Sequence, residues 1–509
     1  MTMRGADPTT AVVPDVSVDA RSHVWTAVAV TWSALIAGAI IFASARVAVL
    51  VAIAPAAGML AIAALPAALN RRAFGLMLTW AGLLAPFIVV EARNVSNVQA
   101  SLLTPLNVFQ GIAPMMFLVV AQLVYRKRIL PLRGPERALL GFGGACVLST
   151  IWSIDAVATA LRSVQLLVVY LLLILLVRQL GSPKAIVRHL VGAVYVSIAA
   201  ALVGVVVDPS FALAPASTYD YTRRITVFTA PRLQAVLPYI HPDLLGLLSA
   251  VALLSLIAGV GPRWSRSRHV QIVTLAAASV VLVLTQTRSA LFLLLIGLLV
   301  LAAVDARSRS RVLVMAMIAV VVILLVPALQ SQLSDHLRRG QDSTSLGTLT
   351  GRTTTWHFAL VQWAQRPLTG FGYYAGHRFS SFSASRDLSN LDNMYVETLV
   401  DVGLVGLGTL VLFLLTGLQG LLRSARSRTR SLAMAILSAS VVGAAVNPSL
   451  QTPGVALIVG GVLLLVPWAP ASHRRLRRHA PSTHRRRTRT QVGAGRASPS
   501  AVLAPAGKH

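Results

Sequence analysis

Apolar residues dominate this chain in long runs separated by short polar or basic connectors. The runs fall at about 25–44, 47–69, 74–90, 107–125, 138–153, 160–177, 187–206, 243–260, 270–286, 289–304, 312–329, 399–421, 431–447 and 454–468. Runs of this length with few charges read as membrane-spanning helices rather than core helices. The pattern predicts an all-α polytopic membrane protein with about 12–14 transmembrane helices. One stretch breaks the rhythm. From 330 to 396 the chain turns polar and aromatic, gathering Arg338, Arg339, Arg352, Arg366, Arg378, Arg386 and Asp392 beside Trp356, Trp363, Tyr373 and Tyr374. This is the predicted large extracytoplasmic loop.

Composition agrees with a membrane chain: 56% of the residues are hydrophobic, 12% are charged, and the mean hydropathy is +0.73. The net charge of +29 does not point to nucleic acid, because the basic residues sit between apolar runs and in the tail. Such residues report topology and contact with anionic lipid. Basic connectors come at every second turn: Arg71/Arg72, Arg126/Lys127/Arg128, Lys184/Arg188, Arg263/Arg266/Arg268, Arg307/Arg309/Arg311 and Arg423/Arg426/Arg428/Arg430. The positive-inside rule makes these cytoplasmic, sends 207–242 and the large loop outside, and leaves both termini cytoplasmic. The expected organisation is a cytoplasmic segment 1–24 without a cleavable signal, a membrane domain 25–470, and a disordered basic tail 471–509 near anionic headgroups. The lone cysteine, Cys146, permits no disulfide within the chain and no Cys metal site. No repeat suggests an inverted-topology transporter.

Several polar features lie where chemistry is expected. The outer loop 207–242 carries Asp208, Asp220, Arg223, Arg224 and Arg232, against the topology rule, and runs into His241-Pro242-Asp243. Its arginines either snorkel to outer phosphates or bind a phosphorylated ligand through bidentate guanidinium contacts. Thr285-Gln286-Thr287-Arg288-Ser289 interrupts apolar sequence. It reads as a hairpin turn, or as a turn that aims Arg288 at something anionic. Thr353-Thr354-Thr355 can cap a helix in which Trp356, Leu360 and Trp363 form one apolar stripe suited to a membrane interface. Gly370-Phe371-Gly372-Tyr373-Tyr374 then breaks that helix and exposes aromatic rings, as anchors or as platforms for sugars. Asp392, just before the next span, is placed either to serve as a general base or to cap a helix.

In chain order, Trp152-Ser153-Ile154-Asp155 with Arg162, Arg232 with His241-Pro242-Asp243, and Thr285-Gln286-Thr287-Arg288-Ser289 are followed by Gly351-Arg352 with Trp356. Pro367-Leu368-Thr369-Gly370-Phe371-Gly372 comes next, and Asp392-Asn393-Met394-Tyr395 leads to Gly403-Leu404-Val405-Gly406. This order resembles the bacterial O-antigen ligase and polymerase family over 137–470. The resemblance implies a multi-pass protein of the plasma membrane that holds an undecaprenyl-pyrophosphate-linked glycan at the outer boundary and transfers it to an acceptor glycan. No cofactor and no metal are implied. Arg232, Arg288 and Arg352 are implied to bind the pyrophosphate, and Asp392 with Asn393 to form the catalytic motif. Family ligases usually carry a His where this chain has Asp392. That tilts the expectation toward polymerisation of repeat units, with His377 or His357 as alternative bases.

Overall fold

The computed structural model describes residues 71–85, 105–125, 131–214, 232–236, 240–306, 308–310, 312–313, 352–378, 391–445 and 455–468. The expected spans 25–44 and 47–69, nearly all of 312–329, the remainder of the large loop and the basic tail lie outside the described residues. The described chain is helical except for one two-residue antiparallel pairing and a single bridge between Ala235 and Ile240. Its longer helices are α1 (Arg71–Leu84), α2 (Pro105–Tyr125), α3 (Gly134–Leu148), α4 (Ala156–Leu180), α5 (Pro183–Val207) and α6 (Pro242–Ala258). They continue with α7 (Arg268–Leu284), α8 (Arg288–Val304), α9 (Arg352–Trp363), α10 (Met394–Arg423), α11 (Arg428–Gly443) and α12 (Val455–Leu465). Each described apolar run thus corresponds to a helix. Of these, α4, α5 and α10 are long and apolar enough to cross a membrane.

Local chemistry sets the helix ends. Asp155 accepts the Ala158 N–H at the start of α4, and Gly181 closes that helix at φ 67°. Ser182 followed by Pro183 starts α5, while Ser267 and Ser427 cap α7 and α11. These hydroxyl and carboxylate caps satisfy N–H groups that have no partner inside the helix. The resulting short turns reverse the chain. Arg178, Lys184, Arg263, Arg266, Arg423 and Arg426 therefore gather at one end of the bundle, and the starts of α6, α8 and α10 at the other.

Helix α4 is the centre of the core. Leu166, Tyr170, Leu172, Leu173 and Ile174 are fully buried on it, around its whole circumference, as expected of a helix with no solvent face. Near its basic end, Arg178 forks onto the buried Glu136, Nε to Oε1 at 3.1 Å and Nη2 to Oε2 at 2.5 Å. Glu136 also accepts the Arg133 N–H. Conversely, α7 buries only Ala278, Val281 and Leu282 and exposes Ile272, Val273, Val280 and Val283. Such an outer face is stable against lipid tails, provided every backbone group is satisfied within the helix.

Helix α10 breaks this rule at Gly403, where φ 68° and ψ −164° interrupt its ladder. The segment 366–372 fills the gap. Phe371 and Gly372 N–H donate to the Val400 and Asp401 carbonyls, each at 2.9 Å. Leu404 and Val405 N–H donate to the Pro367 and Leu368 carbonyls at 2.9 and 3.3 Å. The far side of this segment is tied to the start of α4 and the turn before it: Trp152 Nε1–H donates to the Thr369 carbonyl, Ile154 N–H to Phe371, and the Thr159 hydroxyl to Tyr373.

Two sequence expectations change here. The rings after Gly370 are not presented outward: Tyr373 is 2% exposed, and Phe371 and Tyr374 lie under the guanidinium groups of Arg366 and Arg162 at 5.1 and 5.0 Å. The ties to the α10 break draw these rings into the protein. Helix α9 begins at Arg352, so Thr353–Thr355 form its first turn instead of its cap. Its inward stripe is Trp356, Ala359 and Trp363, packed on Leu391 and Val400, whereas Leu360 is exposed. The stripe is turned by one position because α9 packs on α10 through this face.

Candidate functional site

Helices α6, α8, α9 and α10 all place their N-termini in one region, where the aligned peptide dipoles favour anions. The turn between α7 and α8 is the hub. Thr285, Gln286 and Thr287 are buried, and Gln286 takes φ 51° to make the reversal. The Thr287 hydroxyl reaches the Pro242 carbonyl and Asp243 Oδ1, both at 3.2 Å, and so joins the start of α8 to that of α6.

Arg232 enters this hub from a short ladder, β1 (Leu213–Ala214) with β2 (Arg232–Leu233), in which Ala214 faces Arg232. Its Nε–H donates to the Thr285 carbonyl at 3.0 Å, and its Nη2 to Asp243 Oδ1 at 2.6 Å and Thr287 Oγ1 at 3.3 Å. Arg288, the first residue of α8, follows Thr287 directly and is half-buried.

His241 caps α6. Its Nδ1 accepts the Asp243 N–H at 3.3 Å and lies 3.5 Å from Asp243 Oδ2. Desolvation is the main influence on this imidazole and lowers its pKa from the ordinary histidine value. Asp243 and Asp392 oppose that shift and Arg232 adds to it.

The other half of the region is built by α9 and the start of α10. Trp356 Nε1–H donates to the Leu391 carbonyl at 2.7 Å, and Arg352 Nη2 to Asp392 Oδ2 at 2.8 Å. Asp392 adopts φ 48°, an unusual backbone state for a residue with a side chain. Burial pushes its carboxyl above the usual range; the Arg352 charge and hydrogen bond pull it back, Asp243 pushes it up, and His241 pulls it down. Both members of the Arg352–Asp392 pair keep about a third of their side-chain surface open, 36% and 34%, so a ligand can reach them. Asn393 Oδ1 accepts the Tyr395 and Val396 N–H groups, and Met394 N–H donates to the Ala444 carbonyl. These bonds fix the start of α10 against the end of α11.

Arg232, Arg352 and Asp392, expected to act together, are thus brought into one electrostatic neighbourhood, with Arg288 beside its hub. Asn393 serves as a helix cap there. His357 lies exposed on α9 with its ring 6.2 Å from that of Phe358, and no described hydrogen bond joins it to the cluster. His377 belongs to the single turn Ala375–Arg378, and its side chain lies outside the described residues. His241, Asp243 and Thr287 belong to the motifs quoted from the sequence, which assign no pyrophosphate-binding or catalytic role to them. The available signal was an acidic residue in the first turn of a helix, one residue after a His-Pro pair. Below the cluster a narrow cleft opens between α6, α8 and α11, with Asp243 and Ser289 polar and Leu247, Ala290 and Leu293 apolar. Among the described residues no group of three His, Cys, Asp or Glu is placed to hold a metal ion.

Residues 272–411 match the sequence model of the family described as O-Antigen ligase. The match runs from α7 through Arg288, α9 and Asp392 into α10. It begins after Arg232, His241 and Asp243. No curated protein gives a significant match. The region 272–411, which contains Thr287, Arg288, Arg352 and Asp392 of the polar cluster, is similar to the O-antigen ligase family, and this similarity supports the resemblance to the O-antigen ligase and polymerase family of membrane proteins.

Proposed function

We propose that this chain is a membrane glycosyltransferase that joins polyprenyl-pyrophosphate-linked oligosaccharide repeat units on the extracytoplasmic face of a bacterial plasma membrane. The observation that carries the reading is the placing of Arg352 at the start of α9, paired with Asp392 before α10, and of Arg232 against the starts of α6 and α8. A lipid diphosphate matches this arrangement: guanidinium groups and the positive ends of the helix dipoles suit its phosphates. The basic residues at the opposite end of the bundle favour a cytoplasmic location for that end.

In this scheme an acceptor hydroxyl attacks the anomeric carbon, a C–O bond to the acceptor forms, and the bond from the anomeric carbon to the phosphate oxygen breaks. Arg232, Arg288 and Arg352 hold the charge that develops on the departing lipid pyrophosphate. The hydroxyl proton goes to Asp392, whose desolvated carboxylate is more basic than one in water. Pyrophosphate is already a good leaving group, so positioning and charge stabilisation are the enzyme's main contributions.

The test is the glycan profile of cells carrying Arg352→Ala or Asp392→Ala. Loss of polymer, with the protein still in the membrane, is expected. Unchanged polymer length and abundance would refute the site. A second reading, transfer of finished glycan to another acceptor, is favoured by the family description itself. The two separate by what accumulates when activity is lost: single lipid-linked repeat units for a polymerase, full-length lipid-linked polymer for a ligase. A lipid-linked glycan transporter fits less well, since intramembrane functional charges usually line broken helices near the midplane.

A further inference from the structure

At the basic end of the bundle several arginines are engaged by the protein itself. Arg178 forks onto Glu136, Arg309 Nε–H donates to the Ala302 carbonyl at 3.1 Å, and Arg430 Nη2 donates to the Leu422 carbonyl at 3.2 Å. Arg188, Arg263 and Arg266 differ. Among the described residues no carboxylate pairs with any of the three, and no hydrogen bond engages their guanidinium groups. Yet they are drawn together, since the charges of Arg263 and Arg266 both act on Arg188.

Local structure explains the convergence. The connector between α6 and α7 forms a single 3₁₀ turn, Arg263–Arg266. With three residues per turn, Arg263 and Arg266 stand one above the other on the same side of it. Ser265 is buried, its hydroxyl donates to the Pro262 carbonyl at 2.9 Å, and Ser267 accepts the Val270 N–H, so both ends of the turn are fixed. Trp264, between the two arginines, meets Tyr195 of α5 edge to face with ring centroids 5.9 Å apart. Tyr195 in turn shares a hydrogen bond with Ser255 of α6 at 2.8 Å. Arg188 lies about two turns before Tyr195 on the same face of α5. Helical side chains lean toward the helix start, which here is the basic end.

Three like charges gathered without an acid repel one another, and an anion shared among them relieves that repulsion. The surroundings point to its chemistry. Trp264 is 43% exposed, and such an amphipathic ring suits the headgroup level of a bilayer. One turn into α7, Ile272 and Val273 face outward, 54% and 66% exposed. A free phosphate ion would leave that apolar face uncovered.

We propose that Arg188, Arg263 and Arg266 form a binding site for an anionic phospholipid, with its phosphate on the guanidinium groups, its glycerol beside Trp264 and an acyl chain along Ile272 and Val273. Basic pockets between membrane helices suit such headgroups, and arginine grips phosphate oxygens two at a time. The site stands at the far end of α6 and α7 from Asp243 and Thr285, so it does not depend on the pyrophosphate reading.

The experiment is native mass spectrometry of the purified full-length protein in neutral detergent, titrated with cardiolipin or with phosphatidylcholine. Wild type is compared with Arg188→Gln, Arg188→Lys, Arg266→Gln and Arg426→Gln, the last removing the same charge from the connector between α10 and α11. Hydrogen bonds to charged groups contribute about ten- to hundredfold in affinity. Arg188→Gln and Arg266→Gln should therefore bind cardiolipin at least about tenfold more weakly. Arg426→Gln gives up only diffuse attraction and should lose at most about fivefold. Arg188→Lys keeps the charge but not the fork, and should bind several fold more weakly than wild type, which itself should prefer cardiolipin to phosphatidylcholine. Equal losses in the Arg188→Gln, Arg266→Gln and Arg426→Gln variants, or wild-type affinity in Arg188→Lys, mean general surface attraction and overturn the site. Displacement of cardiolipin by an equal concentration of inorganic phosphate marks a free-phosphate site and overturns the lipid assignment. Without added lipid, Arg188→Gln should unfold at the wild-type temperature or above it; a clear drop would mean that Arg188 serves the fold itself, and overturns the proposal.

Discussion

Replacing Gly403 with alanine should uncouple the outer segment 366–378 from the membrane bundle. At φ 68° and ψ −164° the residue occupies a backbone region that is nearly exclusive to glycine, and holding another residue in such a state costs about 1–3 kcal/mol. An added Cβ would also stand 2.3 Å from the Leu368 carbonyl oxygen, 2.4 Å from its carbon and 2.6 Å from the Thr369 nitrogen. All three are backbone atoms, so no side chain can rotate away. Relief requires moving 367–369 outward, which breaks the bonds from Leu404 and Val405 to Pro367 and Leu368, each contributing about 0.5–1.5 kcal/mol. The combined effect is roughly 2–6 kcal/mol. The control is Gly408 on the same helix, where an added Cβ meets nothing within 4 Å; alanine there should be neutral or stabilising by up to about 1 kcal/mol. Thermal unfolding in nanodiscs, with limited proteolysis of 366–378, compares the two variants. If Gly403→Ala unfolds and is cleaved like Gly408→Ala, the account of the helix break is wrong.

Other predictions address the site and its frame. Arg352 holds the Asp392 carboxyl down against the larger upward push of burial. Activity that needs ionised Asp392 should rise with pH through a value above the ordinary carboxylate range, and Arg352→Gln should move the acid limb of kcat/KM to still higher pH. A limb unmoved in a variant with residual activity refutes Asp392 as the titrating group. Trp356→Phe removes the bond to the Leu391 carbonyl; it should destabilise by about 1 kcal/mol and lower kcat more than it raises KM, as read from steady-state kinetics. Arg178→Met leaves Glu136, with a side chain only 3% exposed, without its cation, which costs about 3–5 kcal/mol. Double replacement with Glu136→Gln should recover much of that loss in thermal unfolding.

The spans were legible in the sequence because lipid demands continuous apolar residues, and the helices from α1 to α8 and from α10 to α12 answer to runs read directly from it. The arginines were legible as exceptions: Arg232 and Arg352 stand at the end of the bundle opposite the basic connectors. What joins them was not legible. Arg232 meets Asp243, Thr285 and Thr287 across 11, 53 and 55 positions, and nothing local in the sequence records such contacts. The filling of the α10 break was hidden for another reason, since its bonds are backbone to backbone and leave no side-chain signature except Gly403 itself. The burial of the Tyr373 ring was not legible because an aromatic residue suits a lipid boundary and a protein interior equally well.

The ties made by Trp356, Arg352 and the strands of backbone around Gly403 have a practical meaning for exchanging parts between related chains. Residues 352–378 and 391–405 hold one another through contacts that no single junction between or within them fully preserves. A chimera joined at about residue 380 would inherit its arginine from one parent and its carboxylate and glycine from another, with no guarantee of matching register. Substrate preference should therefore travel between such chains only when this whole stretch is transplanted as a cassette.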